Sequence, residues 1–219
     1  MKATFPRRRR LLPIVKEGFP YLGGGALAAL LAALFGWPIL ATGLGALTLF
    51  IGYFFRDPER PIPEDPLAIL SPADGRVVLI QRPQWAVAPG EGSVQVSIFL
   101  SLFNVHVNRA PCGGRVLSTD YRRGRFLAAF KSEASALNEQ NTIQIGRGDL
   151  KVTVRQVAGF LARRIVCWAE PGDEVAPGER LGLIRFGSRV DLILPEGVRL
   201  SVAEGDRVKG GQDIVAWTL

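Results

Sequence analysis

The dipeptide Gly187-Ser188 is a place in this sequence where a backbone rearrangement could begin. A serine hydroxyl can attack the carbonyl carbon of the residue before it, and the five-membered ring that forms collapses to an ester. Glycine at the attacked position has no Cβ to oppose the strained turn that this reaction requires. A nearby base must take the hydroxyl proton. A Gly-Ser pair is also common in ordinary β-turns, and that alternative stays open.

An ester at this position would lead to a new functional group. Loss of the α-proton of Ser188 would expel the N-terminal piece as a carboxylate, and the remaining dehydroalanine would tautomerise and lose ammonia. The product is a pyruvoyl group, whose ketone forms a Schiff base with an amine and withdraws electrons as CO₂ leaves. The pair is therefore compatible with decarboxylation of an amine-bearing substrate.

Two side chains are candidates for moving the protons. His106 is the only histidine, and an imidazole can act as base and acid near neutrality. Asp74 could orient that imidazole or hold its proton, in the manner of a Ser-His-Asp triad. The alternatives are a hydrogen-bonded strand histidine and a turn aspartate before Gly75.

Composition excludes several other classes of protein. The formal net charge of +7 favours an anionic partner, but no nucleic-acid motif and no interleaved aromatic and basic pattern is present. Cys112 and Cys167 are predicted to be free thiols, since two cysteines make no disulfide scaffold. With one histidine, a histidine-based metal site is not expected.

The N-terminal quarter of the chain has the composition of a membrane anchor. Residues 18–55 carry no charge, and Pro38 divides them into two predicted helices, roughly Phe19 to Phe35 and Ile39 to Phe55. The basic segment 1–17, with its run Arg7 to Arg10, should stay in the cytoplasm. We therefore expect a hairpin in the inner membrane that leaves the remaining domain on the cytoplasmic side. A re-entrant or interfacial hairpin is the rival interpretation.

A Pro-rich linker over residues 56–66 precedes a domain that is predicted to be mainly β, over residues 67–219. Apolar spacing from Phe126 to Leu137 predicts one short helix. The candidate strands are Val77 to Gln81, Val94 to Val107, Ile143 to Ile145, Lys151 to Val157 and Arg189 to Leu194.

The tail of the domain contains an internal repeat. The pattern Gly-Asp-x-Val-x-x-Gly begins at Gly172 and again at Gly205. Each copy reads as a turn, a short strand and a second turn. The arrangement resembles the two-fold β-sandwich, or barrel-sandwich hybrid, of lipoyl and biotinyl carrier domains. Those domains carry a modified lysine in the hairpin between the repeats, where this chain has Gly187-Ser188 instead.

Several segments together resemble the phosphatidylserine decarboxylases, in the short, archaeal-type branch of that pyruvoyl-dependent family. The resemblance runs from about Arg56 to the C-terminus. The segments that carry it are Leu183 to Asp191, Ser71 to Gly75, Phe103 to Pro111, Phe126 to Asn141, Gln156 to Gly159 and Ala162 to Ile165.

The resemblance assigns roles by position. Ser188 matches the serine that becomes the pyruvoyl group, and Gly187 ends the larger chain. Asp74 matches an aspartate that takes part in self-cleavage, and His106 a histidine that handles protons in cleavage or decarboxylation. Many members have two histidines in the second segment, whereas this chain has Arg109 near the other position.

The resemblance also implies the substrate and the partners. Phosphatidylserine in the membrane would be converted to phosphatidylethanolamine by a heterodimer of chains 1–187 (β) and 188–219 (α), which could assemble further into a homo-oligomer. Arg122, Arg123 and Arg125 are candidates for binding the lipid phosphate, although such a cluster is more often a solvated loop. The competing hypothesis is a membrane-anchored β-sandwich adaptor without catalysis, which would remain one uncut chain.

Overall fold

A computed structural model describes residues 13–82, 93–127, 137–159, 164–185 and 187–218. Residues 13–59 and residues 60–218 of this part belong to two separate compact units. The boundary between Glu59 and Arg60 falls inside the segment predicted to be a linker.

The first unit is a pair of apolar helices. A short 3-10 helix (Lys16–Gly18) leads into α1 (Phe19–Leu34), and α2 (Pro38–Phe54) follows after a three-residue turn. Proline in the first turn of each helix is well tolerated because its missing N–H has no intrahelical acceptor there. Both helices begin and end within one residue of the predicted positions.

The two ends of this helical hairpin meet. The amide of Val15 donates to the carbonyl of Phe55 at 3.0 Å, and the amide of Asp57 donates to the carbonyl of Pro13 at 2.7 Å. The chain therefore leaves the hairpin on the side where it entered. By length and composition, the helical stretch Lys16–Leu34 could cross a membrane, and the helix Pro38–Phe54 is apolar but shorter.

The second unit is mainly β, as predicted. Its strands are β1 (Ala68–Leu70), β2 (Gly75–Gln81), β3 (Ser93–Leu100), β4 (Val107–Arg109), β5 (Gly114–Arg122), β6 (Gln140–Arg147), β7 (Leu150–Val157), β8 (Ile165–Cys167), β9 (Glu174–Val175), β10 (Arg180–Ile184), β11 (Ser188–Pro195), β12 (Arg199–Leu200), β13 (Arg207–Val208) and β14 (Ile214–Trp217). They form an eight-stranded sheet in the order β13-β2-β3-β11-β7-β6-β5-β9 and two three-stranded sheets, β1-β14-β12 and β4-β10-β8.

Strand β11 lies in the middle of the large sheet, antiparallel to β3 on one side and to β7 on the other. Its residues from Ser188 to Leu194 are all buried. Because side chains alternate along a strand, Ser188, Val190 and Leu192 share one face and Arg189 and Asp191 share the other. Val190 and Leu192 belong to the main hydrophobic core, so Ser188 is on the core face.

Two details differ from the sequence expectations. The predicted run Val94 to Val107 is two strands, because a turn interrupts it: Asn104 Oδ1 accepts hydrogen bonds from the amide (2.9 Å) and hydroxyl (2.7 Å) of Ser101. The predicted helix lies mostly at 128–136, outside the described residues. At the flanks of that segment, the amide of Leu127 donates to Asn138 Oδ1 at 2.9 Å.

The internal repeat is visible in the backbone. Gly172 and Gly205 both have φ +99°, and Gly178 and Gly211 both have φ +72°. Strand β9 lies in the first copy and β13 in the second.

Each copy of the repeat packs against a matching turn elsewhere in the domain. The two turns are Ser71 to Val77 and Ala110 to Val116, and both end in Gly-Arg-Val. The residue before each turn donates to the proline carbonyl of the other turn: Arg109 N to Pro72 O at 2.8 Å, and Leu70 N to Pro111 O at 2.7 Å. The domain is therefore built around a local two-fold relationship that the 33-residue repeat only partly revealed.

Candidate active site

Ser188 is the first residue of β11, opposite Leu100 of β3. The residue is fully buried, and its Oγ has no hydrogen-bond partner within the described part of the chain. Gly187 before it has φ +57°, a left-handed conformation that L side chains rarely adopt, and it has open space where a Cβ would be. The Ser188 hydroxyl is therefore next to the carbonyl of a conformationally permissive glycine. Within the described residues, no hydrogen bond competes for this hydroxyl.

His106 lies in the connection between β3 and β4 and is also buried. Its Nδ1 is 2.9 Å from the carbonyl oxygen of Asn104. Because a carbonyl only accepts hydrogen bonds, this contact assigns the proton to Nδ1 and leaves the lone pair on Nε2. In its neutral form the imidazole thus has the tautomer that a general base requires.

The backbone also connects His106 to the segment before Ser188. The amide of Ile184, at the end of β10, donates to the carbonyl of His106 at 3.3 Å. Ile184 is four positions before Ser188, so the connection that carries His106 runs beside the strand that leads towards the serine.

Asp74 lies immediately before β2, at the same end of the large sheet as Ser188. Arg76, Phe99 and Arg189 are aligned across β2, β3 and β11. One strand separates β2 from β11, so the backbones are about 10 Å apart at this end.

Both carboxylate oxygens of Asp74 are engaged. Oδ2 is 2.7 Å from Nη2 of Arg60, and Oδ1 accepts a hydrogen bond from the amide of Gly210 at 2.8 Å. Asp74 therefore does not pair with His106, whose Nδ1 is bound to Asn104 instead. The arrangement differs from a triad in which the carboxylate holds the imidazole.

The two-fold relationship gives Asp74 a natural comparison. Its counterpart in the second turn is Gly113. The second turn makes the same backbone connections without a carboxylate at that position, since Gly178 N donates to Ala110 O just as Gly211 N donates to Ser71 O, both at 2.8 Å. These backbone connections thus form without a carboxylate. The counterpart of Gly210 in the other copy is Pro177, which has no N–H, so the Asp74 carboxylate accepts from a donor that the second turn lacks.

A line of buried amide side chains reaches the face that carries Ser188, and sequence reasoning assigned it no role. Asn141 Nδ2 donates to Gln156 Oε1 at 2.9 Å, and Gln156 Nε2 donates to Asn108 Oδ1 at 2.8 Å. Gln156 is directly opposite Val190 in the sheet. The line therefore joins β6 and β7 to β4, the strand that follows His106.

The close approach of these layers depends on Gly182 in β10. A Cβ at Gly182 would collide with the carbonyl oxygen of Val166 and would be 3.0 Å from Gln156 Nε2. Glycine at this position thus lets the sheet β4-β10-β8 pack onto the amide line.

The face of β11 opposite Ser188 carries a buried charged pair. Arg189 Nε donates to Asp191 Oδ1 at 2.6 Å, and Arg189 Nη2 donates to the hydroxyl of Ser97 on β3 at 2.7 Å. Arg155 is opposite Asp191 on β7, and burial lowers its pKa while the Asp191 charge partly opposes that shift.

The arginines predicted to bind phosphate are all exposed. Arg122 ends β5 opposite Gln140, and the backbone of Arg125 pairs with that of Asn138. Two strands lie between β5 and β11, which places the backbones of Arg122 and Arg189 about 14 Å apart. The structure does not bring these arginines next to Ser188.

Both cysteines are free thiols. Burial raises the pKa of Cys112 to about 11, with Arg147 opposing the shift, and burial also raises the pKa of Cys167. Among the described residues, no group of three or more His, Cys, Asp or Glu side chains could hold a metal ion.

Comparison with known proteins identifies a family. The family model for phosphatidylserine decarboxylase matches residues 47–216. A phosphatidylserine decarboxylase proenzyme from Desulfotalea psychrophila is 44% identical over 205 residues, covering 93% of this chain and 96% of the relative. Proenzymes of the same name from Geobacter metallireducens (46% over 210 residues; 93% and 95% covered) and Chlorobium phaeobacteroides (48% over 178 residues; 81% and 84% covered) are similar to it as well. The archaeal-type branch stays a prediction.

Proposed function

The chain belongs to the phosphatidylserine decarboxylase family, and on that premise we propose that it is a proenzyme that cleaves itself between Gly187 and Ser188 and then decarboxylates phosphatidylserine to phosphatidylethanolamine. The observation that carries the proposal is the buried Ser188 hydroxyl, which lacks a partner in the described structure and follows a glycine at φ +57°. That geometry suits an intramolecular attack and would be unusual for a serine with only a structural role.

Cleavage begins when Ser188 Oγ bonds to the carbonyl carbon of Gly187 and the peptide nitrogen leaves, which gives an ester and a free amine. Removal of the α-proton of Ser188 then breaks the Cβ–Oγ bond and releases Gly187 as a carboxylate. The dehydroalanine that remains tautomerises to an imine, and water replaces the nitrogen, which leaves as ammonia. Ser188 thereby becomes the pyruvoyl group, the cofactor of the enzyme.

His106 is the proposed base in this sequence. In the neutral ring the lone pair is on Nε2, because Nδ1 is turned to the carbonyl of Asn104. Asp74 acts separately from the imidazole, because Arg60 and the Gly210 amide hold its carboxylate at the Ser188 end of the sheet. We propose that this fixed negative charge assists self-cleavage.

After cleavage the ketone at residue 188 would supply a Schiff-base link to the substrate amine, would withdraw electrons as CO₂ leaves, and would be regenerated by hydrolysis. His106 supplies a proton to the α-carbon of the product. The two chains, 1–187 (β) and 188–219 (α), remain a heterodimer because β11 of the smaller chain is paired with β3 and β7 of the larger one. Any contact of Arg122, Arg123 and Arg125 with the lipid phosphate would require the headgroup to extend away from Ser188.

The helical pair is proposed to hold the domain at its lipid substrate. Helices α1 and α2 form a hairpin in the inner membrane, and the domain that follows lies on the cytoplasmic side. The meeting of Val15 with Phe55 supports a hairpin that returns the chain to one side. The duplicated turns support a barrel-sandwich hybrid related to lipoyl carriers, with Ser188 in place of the modified lysine.

Intact-protein mass spectrometry of freshly purified protein tests the proposal. We expect two chains, with the 188–219 chain lighter by one ammonia than a simple hydrolysis product, and decarboxylation of phosphatidylserine vesicles. The Ser188→Ala variant should remain a single chain without activity. Ser93→Ala, which changes another buried serine of the same sheet, is the matched control and should be cut normally. A folded wild-type protein that stays uncut would support the adaptor hypothesis instead.

A further inference from the structure

Arg189, the residue directly after the proposed cleavage site, is among the most completely buried charged residues in the described structure. Its guanidinium has two described side-chain partners. Nε donates to Asp191 on the same strand, and Nη2 donates to Ser97 Oγ on β3, 92 residues earlier in the chain. Charge-assisted hydrogen bonds of this length are among the stronger ones in proteins.

These contacts lie on the face of β11 opposite Ser188, because residues 188 and 189 alternate across the sheet. Arg189 is therefore not oriented towards the reacting serine hydroxyl. Its bond to Ser97 connects the two future chains, since Ser97 belongs to 1–187 and Arg189 to 188–219.

Cleavage changes what holds this end of β11. Before it, residue 188 is tethered covalently through Gly187 to β10. Afterwards residue 188 is a chain terminus, and its backbone nitrogen has left as ammonia together with any hydrogen bond that it could donate. Chain termini fray unless side-chain or sheet contacts fix them.

We propose that Arg189 is a positioning residue that anchors the new terminus through Ser97 and Asp191, so that the ketone at residue 188 stays in place for the substrate amine. The inference rests on the proposed function and deepens it. The pair of Arg189 and Asp191 would hold residue 188 in place only after the peptide bond is cut. Self-cleavage and decarboxylation should therefore depend on the anchor to different degrees.

The Ser97→Ala variant removes the acceptor on β3 and leaves Arg189 bound to Asp191. Gln95→Leu is the matched control: Gln95 is equally buried on the same strand and donates to the same Ser97 hydroxyl at 2.9 Å, but it has no described bond to Arg189. Arg189→Lys is a second test, since it keeps the positive charge but lacks the forked donors that reach two partners at once.

Three readouts are compared on full-length protein: the fraction cut, by mass spectrometry; amide exchange of residues 189–191 in the cut protein; and covalent capture of phosphatidylserine by the ketone with cyanoborohydride. For Ser97→Ala and Arg189→Lys we expect nearly complete cutting. Loss of a charge-assisted bond should speed amide exchange by about tenfold or more and slow covalent capture by a similar factor. Gln95→Leu should match the wild type.

Exchange and capture rates in Ser97→Ala and Arg189→Lys that equal those of Gln95→Leu would overturn the anchor alone and leave the proposed function standing. Failure of both variants to be cut, while Gln95→Leu is cut, would also overturn it, because the contacts would then be required before cleavage. An uncut wild-type protein would overturn this inference together with the proposed function.

Discussion

Asp74 and Gly113 occupy equivalent positions in two turns that are related by a local two-fold axis, and only Asp74 has a side chain. The Asp74 carboxylate is held at 2.7 Å from Arg60 and 2.8 Å from the amide of Gly210. The turn that contains Gly113 packs on its own repeat copy without such a group. The duplicated backbone connections form without a carboxylate, and the position equivalent to Gly210 is Pro177, so the Asp74 carboxylate is particular to the first turn and is a candidate for chemistry there.

This comparison predicts the outcome of replacing Asp74 by glycine, which makes the first turn resemble the second. The domain should still fold, with a loss of about 1–3 kcal/mol from the ion pair with Arg60 and the hydrogen bond from Gly210, while Arg60 keeps its contact with Gln212. Self-cleavage should slow by about a hundredfold or more, the scale of losing one preorganised electrostatic group, measured as the appearance of the 188–219 chain over time. Asp206→Asn, in an exposed repeat turn, is the control and should be cut normally. Normal cutting of Asp74→Gly would assign Asp74 a structural role only.

Replacing His106 by glutamine keeps a polar side chain of similar size and removes the imidazole base. We expect the cleavage rate to fall by about 10²- to 10⁴-fold, the usual contribution of a general base. The experiment follows the uncut chain by denaturing gel over days. The amount of folded protein should remain close to that of the wild type. If His106→Gln is cut at the wild-type rate, another group takes the proton of the serine hydroxyl.

Two glycine substitutions should separate folding from cleavage. Gly182→Ala places a Cβ against Val166 O and Gln156 Nε2, so we expect poor folding and a low yield of soluble protein. Gly187→Ala meets no neighbour, but it holds alanine at φ +57°, at a cost of about 1–2 kcal/mol. The Gly187 variant should therefore fold, as judged by thermal melting, and cleave itself more slowly. The opposite pattern would contradict the local packing described for β10.

Cys112 should make stability sensitive to alkaline pH. Its pKa rises from 9.0 to about 11 on folding, so between these values the unfolded chain loses the proton and the folded chain keeps it. Stability therefore falls as the pH rises through this interval, by on the order of 1 kcal/mol at pH 10. Urea melts of wild type and Cys112→Ala at pH 8 and pH 10 measure the difference. An equal pH dependence in the two proteins would show that Cys112 does not contribute.

Much of the architecture was predictable because it depends on local sequence. The two helices follow from an uncharged run that a proline divides, and the repeat follows from glycines that recur at the same spacing. The interruption between β3 and β4 was not predicted. It depends on the Asn104 side chain, which accepts hydrogen bonds from Ser101, and hydrophobic alternation does not reveal such a contact.

The long-range contacts of the site could not be predicted in the same way. The amide line from Asn141 to Asn108 requires the register of β6 and β7 and the packing of a second sheet onto them. The contact between Arg189 and Ser97 joins residues far apart in sequence, and strand order decides whether they meet. Sequence also suggested a link between Asp74 and His106, whereas the structure gives each a different partner.

The position of β11 between β3 and β7 determines how the mature protein would respond to denaturation. Strand β11 lies in the middle of the sheet. In the precursor it takes this position while the polypeptide is still continuous. After cleavage and unfolding, the 188–219 chain would have to bind between β3 and β7 as a separate molecule, and this association has an entropic cost that the continuous precursor does not have. We therefore expect the precursor to refold readily after denaturation. The mature enzyme should lose its activity irreversibly after a single exposure to denaturant.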